Sequence, residues 1–118
     1  MTKLEVLRKY FGHSSFRNGQ EQLIDSILEG RDVLGVMPTG AGKSMCYQIP
    51  AILLDGTVIV ISPLISLMRD QVDALVQNGI NAACINSMQD SASSYEVYRR
   101  AAAGEYKLLY VAPERLET

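Results

Sequence analysis

The sequence predicts an α/β fold in which helices flank a parallel β-sheet. Helical and strand-like patterns alternate along the 118 residues, and each connection between predicted strands is long enough to hold a helix. Residues 57–62 form a β-branched apolar run without polar alternation, which is typical of a parallel strand buried on both faces. The length and the 47% hydrophobic content suit a single compact domain over residues 1–118.

Capping residues and glycines mark the boundaries of the predicted helices. Thr2 and Glu5 form a capping box at the start of the first helix, and Gly12 ends it. A second capping box, Ser93 with Glu96, begins the last helix. The predicted helices cover residues 3–11, 19–29, 45–54, 64–78 and 93–103, and the predicted strands cover residues 32–36, 57–62, 82–85 and 107–112.

A glycine-containing loop between the first predicted strand and the next helix ends in Lys43 and Ser44. Gly40 and Gly42 allow a tight turn in which successive backbone N–H groups point at one anion, and the following helix adds its positive amino-terminal end. Lys43 suits the β- and γ-phosphates of a nucleotide, and the Ser44 hydroxyl suits Mg²⁺. Met37 replaces the glycine that opens the usual pattern, so a simple strand-to-helix turn with a solvated Lys43 is the alternative.

Composition and charge exclude several classes of protein. The formal net charge of −2 gives no general attraction for nucleic acid, so any such contact depends on individual groups. No apolar run reaches the roughly 20 residues of a membrane span, and the amino-terminal residues do not resemble a signal peptide. Cys46 and Cys84 lie far apart among apolar residues and are expected to be reduced core thiols. These features predict an intracellular protein without a membrane partner.

A polar segment precedes the second predicted helix. Gln20 can both donate and accept hydrogen bonds, which is what the N6 and N7 edge of adenine requires. His13 can stack on a base, and Arg17 can stack or contact a phosphate. Taken alone, these residues favour a simpler interpretation, a surface turn between two helices in which Gln20 caps the second.

Four blocks of the chain together resemble the RecQ family of superfamily 2 DNA helicases. They occur in the order and spacing of that family, and Asn86 and Ser87 also fit its pattern. The phosphate loop of the family opens with a residue other than glycine, as Met37 does here. The blocks are residues 11–20, 37–50 (MPTGAGKSMCYQIP), 60–72 (VISPLISLMRDQV) and 108–116 (LLYVAPERL).

The resemblance implies a P-loop, RecA-like domain that uses ATP and Mg²⁺ for 3′–5′ DNA unwinding in repair and recombination, in the cytoplasm (bacterial nucleoid) or the nucleus. It assigns Gln20 to the adenine edge, His13 to the stacking position and Arg17 to the nucleotide. Lys43 is the expected catalytic residue, and Ser44 is the expected Mg²⁺ ligand. The other implied residues are Thr39, Gly40, Ala41 and Gly42 around the phosphates, and Ser62, Pro63, Leu64, Asp70, Gln71, Pro113, Glu114 and Arg115 on DNA.

One acidic element of the family does not occur in these 118 residues. In the family, a strand ending in Asp-Glu-Ala-His completes the Mg²⁺ site and positions the attacking water, and a second motor lobe supplies an arginine finger. We therefore expect an incomplete RecA-like sheet, a helicase fragment that holds ATP and contacts single-stranded or forked DNA without hydrolysing ATP alone.

Two alternatives remain at this point. One is a stand-alone nucleotide-binding or non-catalytic truncated module, and the other is a GTPase or small-molecule kinase with different base recognition. Missing strands would leave apolar sheet surface uncovered, which favours self-association.

Overall fold

The computed structural model describes residues 1–35, 43–63, 65–85 and 91–114. The chain divides into two compact units, Met1–Asp55 and Gly56–Thr118. No helix in the described part of the chain is long and apolar enough to cross a membrane. The single domain over residues 1–118 stays a prediction.

The described residues of the first unit form three helices, α1 (Lys3–Phe11), α2 (Gln20–Leu28) and α3 (Met45–Leu53). The capping box predicted at the start of α1 is confirmed, because the Thr2 hydroxyl accepts a hydrogen bond from the Glu5 N–H at 3.2 Å. In return, the Glu5 carboxylate accepts one from the Thr2 N–H at 3.1 Å.

The core of the first unit joins all three helices. Val6 and Leu7 of α1, Ile24 of α2 and Ile49 of α3 are fully buried in one cluster. At its border, Lys3 Nζ lies 2.5 Å from an Asp25 carboxylate oxygen and 2.9 Å from one of Glu21. The hydrogen bond to Asp25 raises the pKa of Lys3 most, and the hydrogen bond to Glu21 raises it further. Both contacts join α1 to α2.

The second unit is a parallel three-stranded sheet with two helices. Strand β3 lies between β1 and β2, and it is buried along its whole length. One face of β2 and β3 packs against residues of α5, and α4 also contacts β2. The elements are β1 (Val58–Ile61), α4 (Ile65–Gln77), β2 (Ala82–Ile85), α5 (Ser91–Ala102) and β3 (Leu108–Val111).

The predicted strand over residues 32–36 is not present in the part of the chain that the structure describes. Residues 31–35 belong to no helix or strand, Val36 lies outside the described residues, and Leu34 is 91% exposed. A strand exists only where its backbone pairs with a neighbouring strand, and an apolar run does not by itself supply that neighbour. The described sheet therefore has three strands.

The prediction that residues 57–62 are buried on both faces is also wrong. Ile59 and Ile61 are 58% and 55% exposed, and they are paired in register with Leu109 and Val111. Side chains that are paired in register share a face of the sheet. Because α5 packs on this face over β2 and β3, the β1 part of the face stays uncovered.

The second predicted capping box is not formed. Helix α5 begins at Ser91, so Ser93 and Glu96 lie inside it. Glu96 instead accepts hydrogen bonds from Arg99, at 2.7 and 3.1 Å, and from Arg100, at 3.0 Å. Residues three and four positions apart share a helix face, so ion pairs compete with the cap for this carboxylate.

We predict that Leu7→Ala destabilises the first unit by about 2–5 kcal/mol, because it removes a fully buried side chain and leaves a cavity. Leu34→Ala removes the same atoms from a side chain that is 91% exposed, and we expect a change below about 0.5 kcal/mol. Urea denaturation followed by far-UV circular dichroism measures both. Equal losses in the two variants would contradict the assignment of the core.

We also predict a pH-dependent contribution from Glu96. The guanidinium groups of Arg99 and then Arg100 lower its pKa from 4.5 to about 2 in the folded chain. A lowered pKa stabilises the fold above the unfolded value, and this stabilisation disappears as the pH falls through the folded value. The difference in thermal midpoint between the unmodified chain and Glu96→Gln should therefore be constant above pH 4.5 and vanish towards pH 2.

The control for this prediction is Asp73→Asn. Asp73 is an exposed carboxyl of α4 that makes no ion pair with any other described residue. Its substitution should not give the same pH-dependent difference. A Glu96→Gln difference that persists unchanged to pH 2 would refute the role of the ion pairs.

Candidate functional site

A pocket of about 340 Å³ lies in the first unit beside the predicted phosphate loop. Its wall is mostly apolar, and Lys43 is the charged side chain that lines it. The backbone of Gly35 comes so close to α2 that a Cβ atom there would lie 2.9 Å from Leu23 Cδ1. The lining residues are Leu23, Ile27, Val33, Gly35, Lys43, Cys46 and Tyr47.

Lys43 and Ser44 lie at the amino-terminal end of α3. Ser44 is the N-cap residue, and its carbonyl accepts the hydrogen bond of the Gln48 N–H at 3.0 Å. The Ser44 side chain makes no capping hydrogen bond, and Lys43 is exposed. The cationic side chain and the positive end of the helix thus combine at one point, which is suited to an anion.

The remaining residues of the predicted loop, Thr39, Gly40, Ala41 and Gly42, lie outside the described residues, as does Met37. The described part of the loop is its carboxyl-terminal end, where Lys43 and Ser44 lead into α3.

Gln20 holds the turn that precedes α2. Its side-chain carbonyl accepts a hydrogen bond from the Arg17 N–H at 2.8 Å, and its own N–H donates to the Arg17 carbonyl at 3.1 Å. The Gln20 side chain is only 1% exposed, whereas Arg17 and His13 are exposed. The interpretation that Gln20 caps α2 is wrong, because Gly19 is the N-cap residue and no side chain caps this helix; the Gln20 side chain instead bonds back to Arg17 within the turn. The adenine contact of Gln20 stays a prediction.

Two pairs of predicted DNA-contact residues lie at one edge of the sheet in the second unit. Ser62 and Pro63 follow β1, and Pro113 and Glu114 follow β3 after Ala112. The Ser62 N–H donates to the Val111 carbonyl at 3.1 Å, which holds the two exits together. We call Ser62, Pro63, Pro113 and Glu114 the carboxyl rim.

The other predicted DNA-contact residues are distributed differently. Asp70 and Gln71 lie in the middle of α4, the first exposed and the second half-buried. Leu64 and Arg115 lie outside the described residues. The DNA role of all these residues stays a prediction.

The sequence analysis did not identify the pocket wall. The structure buries Ile24 of α2 in the core and leaves Leu23 and Ile27 at the pocket. The i, i+4 spacing of those two residues gives the signal that they share a second face. Cys46 is a buried thiol, as predicted, and burial raises its pKa, which disfavours the reactive thiolate.

Comparison with known proteins identifies the family of the chain. A family model described as DEAD/DEAH box helicase matches residues 17–118. The ATP-dependent DNA helicase RecQ of Haemophilus influenzae is 54% identical over 99% of this chain and 19% of its own length. The RecQ of Bacillus subtilis is 55% identical over 94% of this chain and 19% of its own length. The chain thus spans about 19% of the length of these relatives.

A crystal structure of a hypothetical ATP-dependent RNA helicase from Sulfolobus tokodaii superposes with a TM-score of 0.79 at 23% identity. The superposition covers 98% of this chain and 34% of that one, and at such identity it shows the fold alone. The predicted α/β fold, a parallel sheet flanked by helices as in a RecA-like helicase domain, is confirmed, and so is the resemblance to RecQ helicases. The chain belongs to the DEAD/DEAH box helicase family.

Proposed function

We propose that this chain is the part of a RecQ-type ATP-dependent DNA helicase that holds the nucleotide phosphates and contacts the DNA backbone. Residues 1–118 would then form part of one RecA-like ATP-binding domain. The observation that carries the proposal is the 54% identity to a RecQ helicase across 99% of the chain. Exposed Lys43 at the start of α3 supports the nucleotide site.

The phosphate contact is the best supported step. Lys43 lies directly before Ser44, the N-cap residue of α3, so its ammonium group and the positive amino-terminal end of the helix dipole can act on the same phosphate. Charge-assisted hydrogen bonds of this kind are stronger than neutral ones. We propose that Lys43 stabilises the negative charge on the β- and γ-phosphates during transfer, with Thr39, Gly40, Ala41 and Gly42 supplying backbone donors.

The base contact requires a local change. Gln20 is 1% exposed, and its carbonyl oxygen already accepts the Arg17 N–H. A carbonyl oxygen has two lone pairs, so this oxygen can accept a second bond from the adenine N6 amine. We propose that the turn from Arg17 to Gln20 opens when ATP binds, with His13 and Arg17 beside the base.

The Mg²⁺ that accompanies ATP fits Ser44. The Ser44 hydroxyl is half-buried and is not used for capping. Within the described ranges, no group of three His, Cys, Asp or Glu side chains could hold a metal ion. Mg²⁺ commonly keeps several waters and takes few protein ligands besides phosphate oxygens, where it neutralises developing charge. We propose one protein ligand from this chain, the Ser44 hydroxyl.

For DNA, we propose that the sugar-phosphate backbone contacts the carboxyl rim and the other predicted DNA-contact residues, Leu64, Asp70, Gln71 and Arg115. Ligands of open parallel sheets bind at the carboxyl ends of the strands, which is where the rim lies. Contacts with the sugar-phosphate backbone position a strand without reading its sequence, as unwinding of single-stranded or forked DNA requires. We propose an intracellular location, in the bacterial cytoplasm or the nucleus.

We predict that MgATP binds to the chain and that Lys43→Ala weakens this binding at least about tenfold, because a charged phosphate contact contributes about 1.5–3 kcal/mol. A fluorescent ATP analogue titrated into both proteins measures the affinities. Lys9→Ala, a substitution of an exposed lysine on α1, is the matched control and should bind normally.

Competition with GTP completes the test. The unmodified chain should prefer ATP, and Gln20→Ala should lose that preference. Equal affinity of the unmodified chain for ATP and GTP would remove Gln20 from the site and favour a GTPase or kinase. Normal ATP binding by Lys43→Ala would refute the phosphate site itself.

We further propose that copies of the chain associate through the uncovered β1 surface, Ile59 and Ile61. Their exposure of 58% and 55% leaves apolar atoms in water, and β1 is an edge strand of the described sheet. An apolar edge strand without charges favours pairing with another chain.

We predict that the average mass measured by light scattering rises with protein concentration and that Ile61→Lys keeps the chain monomeric. Val76→Lys is the matched control, since Val76 of α4 is also 55% exposed, and it should still associate. A monomer at all concentrations would contradict the proposed surface, as would equal effects of the two substitutions.

A further inference from the structure

Helix α5 presents two aromatic rings and a cation to solvent. Tyr95 is 69% exposed, Tyr98 is 44% exposed, and Arg99 is exposed. Tyr98 and Arg99 follow Tyr95 by three and four positions, so the three side chains are neighbours on the helix surface. We call Tyr95, Tyr98 and Arg99 the tyrosine face. The face of α5 that packs on the sheet carries Val97 and Ala101 instead.

The charges next to these rings are fixed in place. Glu96 accepts two hydrogen bonds from Arg99 and one from Arg100. One carboxylate thus holds two guanidinium groups, and Glu105 also acts electrostatically on both of them, so the four side chains together carry no net formal charge. Proteins bind single-stranded nucleic acid with exposed aromatic rings, which stack on bases, and with cations, which contact phosphates.

The topology brings the tyrosine face near the carboxyl rim. β2 ends at Ile85, α5 begins at Ser91, and the chain then returns to the parallel strand β3. A helix that connects two parallel strands starts at their carboxyl ends and runs back along the sheet. Tyr95 lies four residues after Ser91, about 6 Å along the helix axis from the first residue of α5.

We propose that the tyrosine face binds single-stranded nucleic acid, with a base stacked on Tyr95 and a phosphate beside Arg99. The proposal rests on the proposed DNA contacts at the carboxyl rim, which it extends onto α5. Tyrosine and arginine are also common in protein interfaces. The exposed rings beside a guanidinium group, together with the start of α5 on the carboxyl side of the sheet, favour nucleic acid.

The absence of tryptophan from the 118 residues permits a direct test of stacking. Tyr95→Trp introduces a single indole, and its fluorescence should be quenched when an oligothymidylate of about 15 nucleotides is added. Val76→Trp, on the exposed surface of α4, is the control and should keep its fluorescence. Quenching of both indoles, or of neither while the oligonucleotide binds, would overturn the proposal.

Affinity gives a second readout by fluorescence anisotropy of the labelled oligothymidylate. We expect Tyr95→Ala to bind about tenfold more weakly and Tyr95→Phe, which keeps the ring, to bind normally. Arg99→Gln should reduce the slope of log affinity against log salt by about 0.7, the value for one lost phosphate contact on a single strand.

The outcomes separate this inference from the proposed function. If the unmodified chain does not bind the oligonucleotide, both the DNA contacts of the carboxyl rim and the tyrosine face are wrong. If the unmodified chain binds and Tyr95→Ala binds equally well, only the tyrosine face is wrong. A Tyr95→Ala variant that changes the oligomeric state and not the DNA affinity would identify a protein interface, and the proposal would fail.

Discussion

The second unit depends on strand β3, which hydrogen-bonds to β1 on one side and to β2 on the other. Both pairings start at Leu108, and its partners are Val58 and Ala82. Because all three strands are parallel and begin level, they also end level, and the segments that follow them emerge at one edge. The carboxyl rim is a consequence of this register. A shift of one strand by one residue would turn each of its side chains to the other face of the sheet.

The first unit obtains its candidate site from a different constraint, the start of a helix. The amino-terminal end of α3 carries the positive end of the helix dipole, and Lys43 and Ser44 lead into it. This arrangement is local in sequence, so it needs no long-range pairing. The pocket beside it does need such packing, because its wall combines Leu23 of α2 with Tyr47 of α3.

This difference explains which parts of the fold the sequence could predict. Helix ends depend on residues a few positions apart, and Thr2 with Glu5 marked one correctly. Strands depend on partners that are distant in sequence, so the apolar run before the phosphate loop was predicted as a strand that the described residues do not form. The exposure of Ile59 depends on how far α5 reaches across the sheet, which no local pattern encodes. Gln20 was assigned two roles from its hydrogen-bonding groups, and only packing could reveal that it is buried and bonded to Arg17.

A chain with a formal net charge of −2 can bind a polyanion only through local arrangements of charge. At physiological ionic strength the Debye length is about 8 Å, so acidic side chains farther away are largely screened from a bound phosphate. Lys43 lies beside a helix amino terminus, which adds partial positive charge without adding a residue. Arg99 differs from Lys43 in that it forms an ion pair with Glu96, which restrains the side chain and neutralises part of its charge. The restraint lowers the entropy lost on binding, while the stacking of bases on Tyr95 does not depend on charge and would supply the larger part of the affinity there.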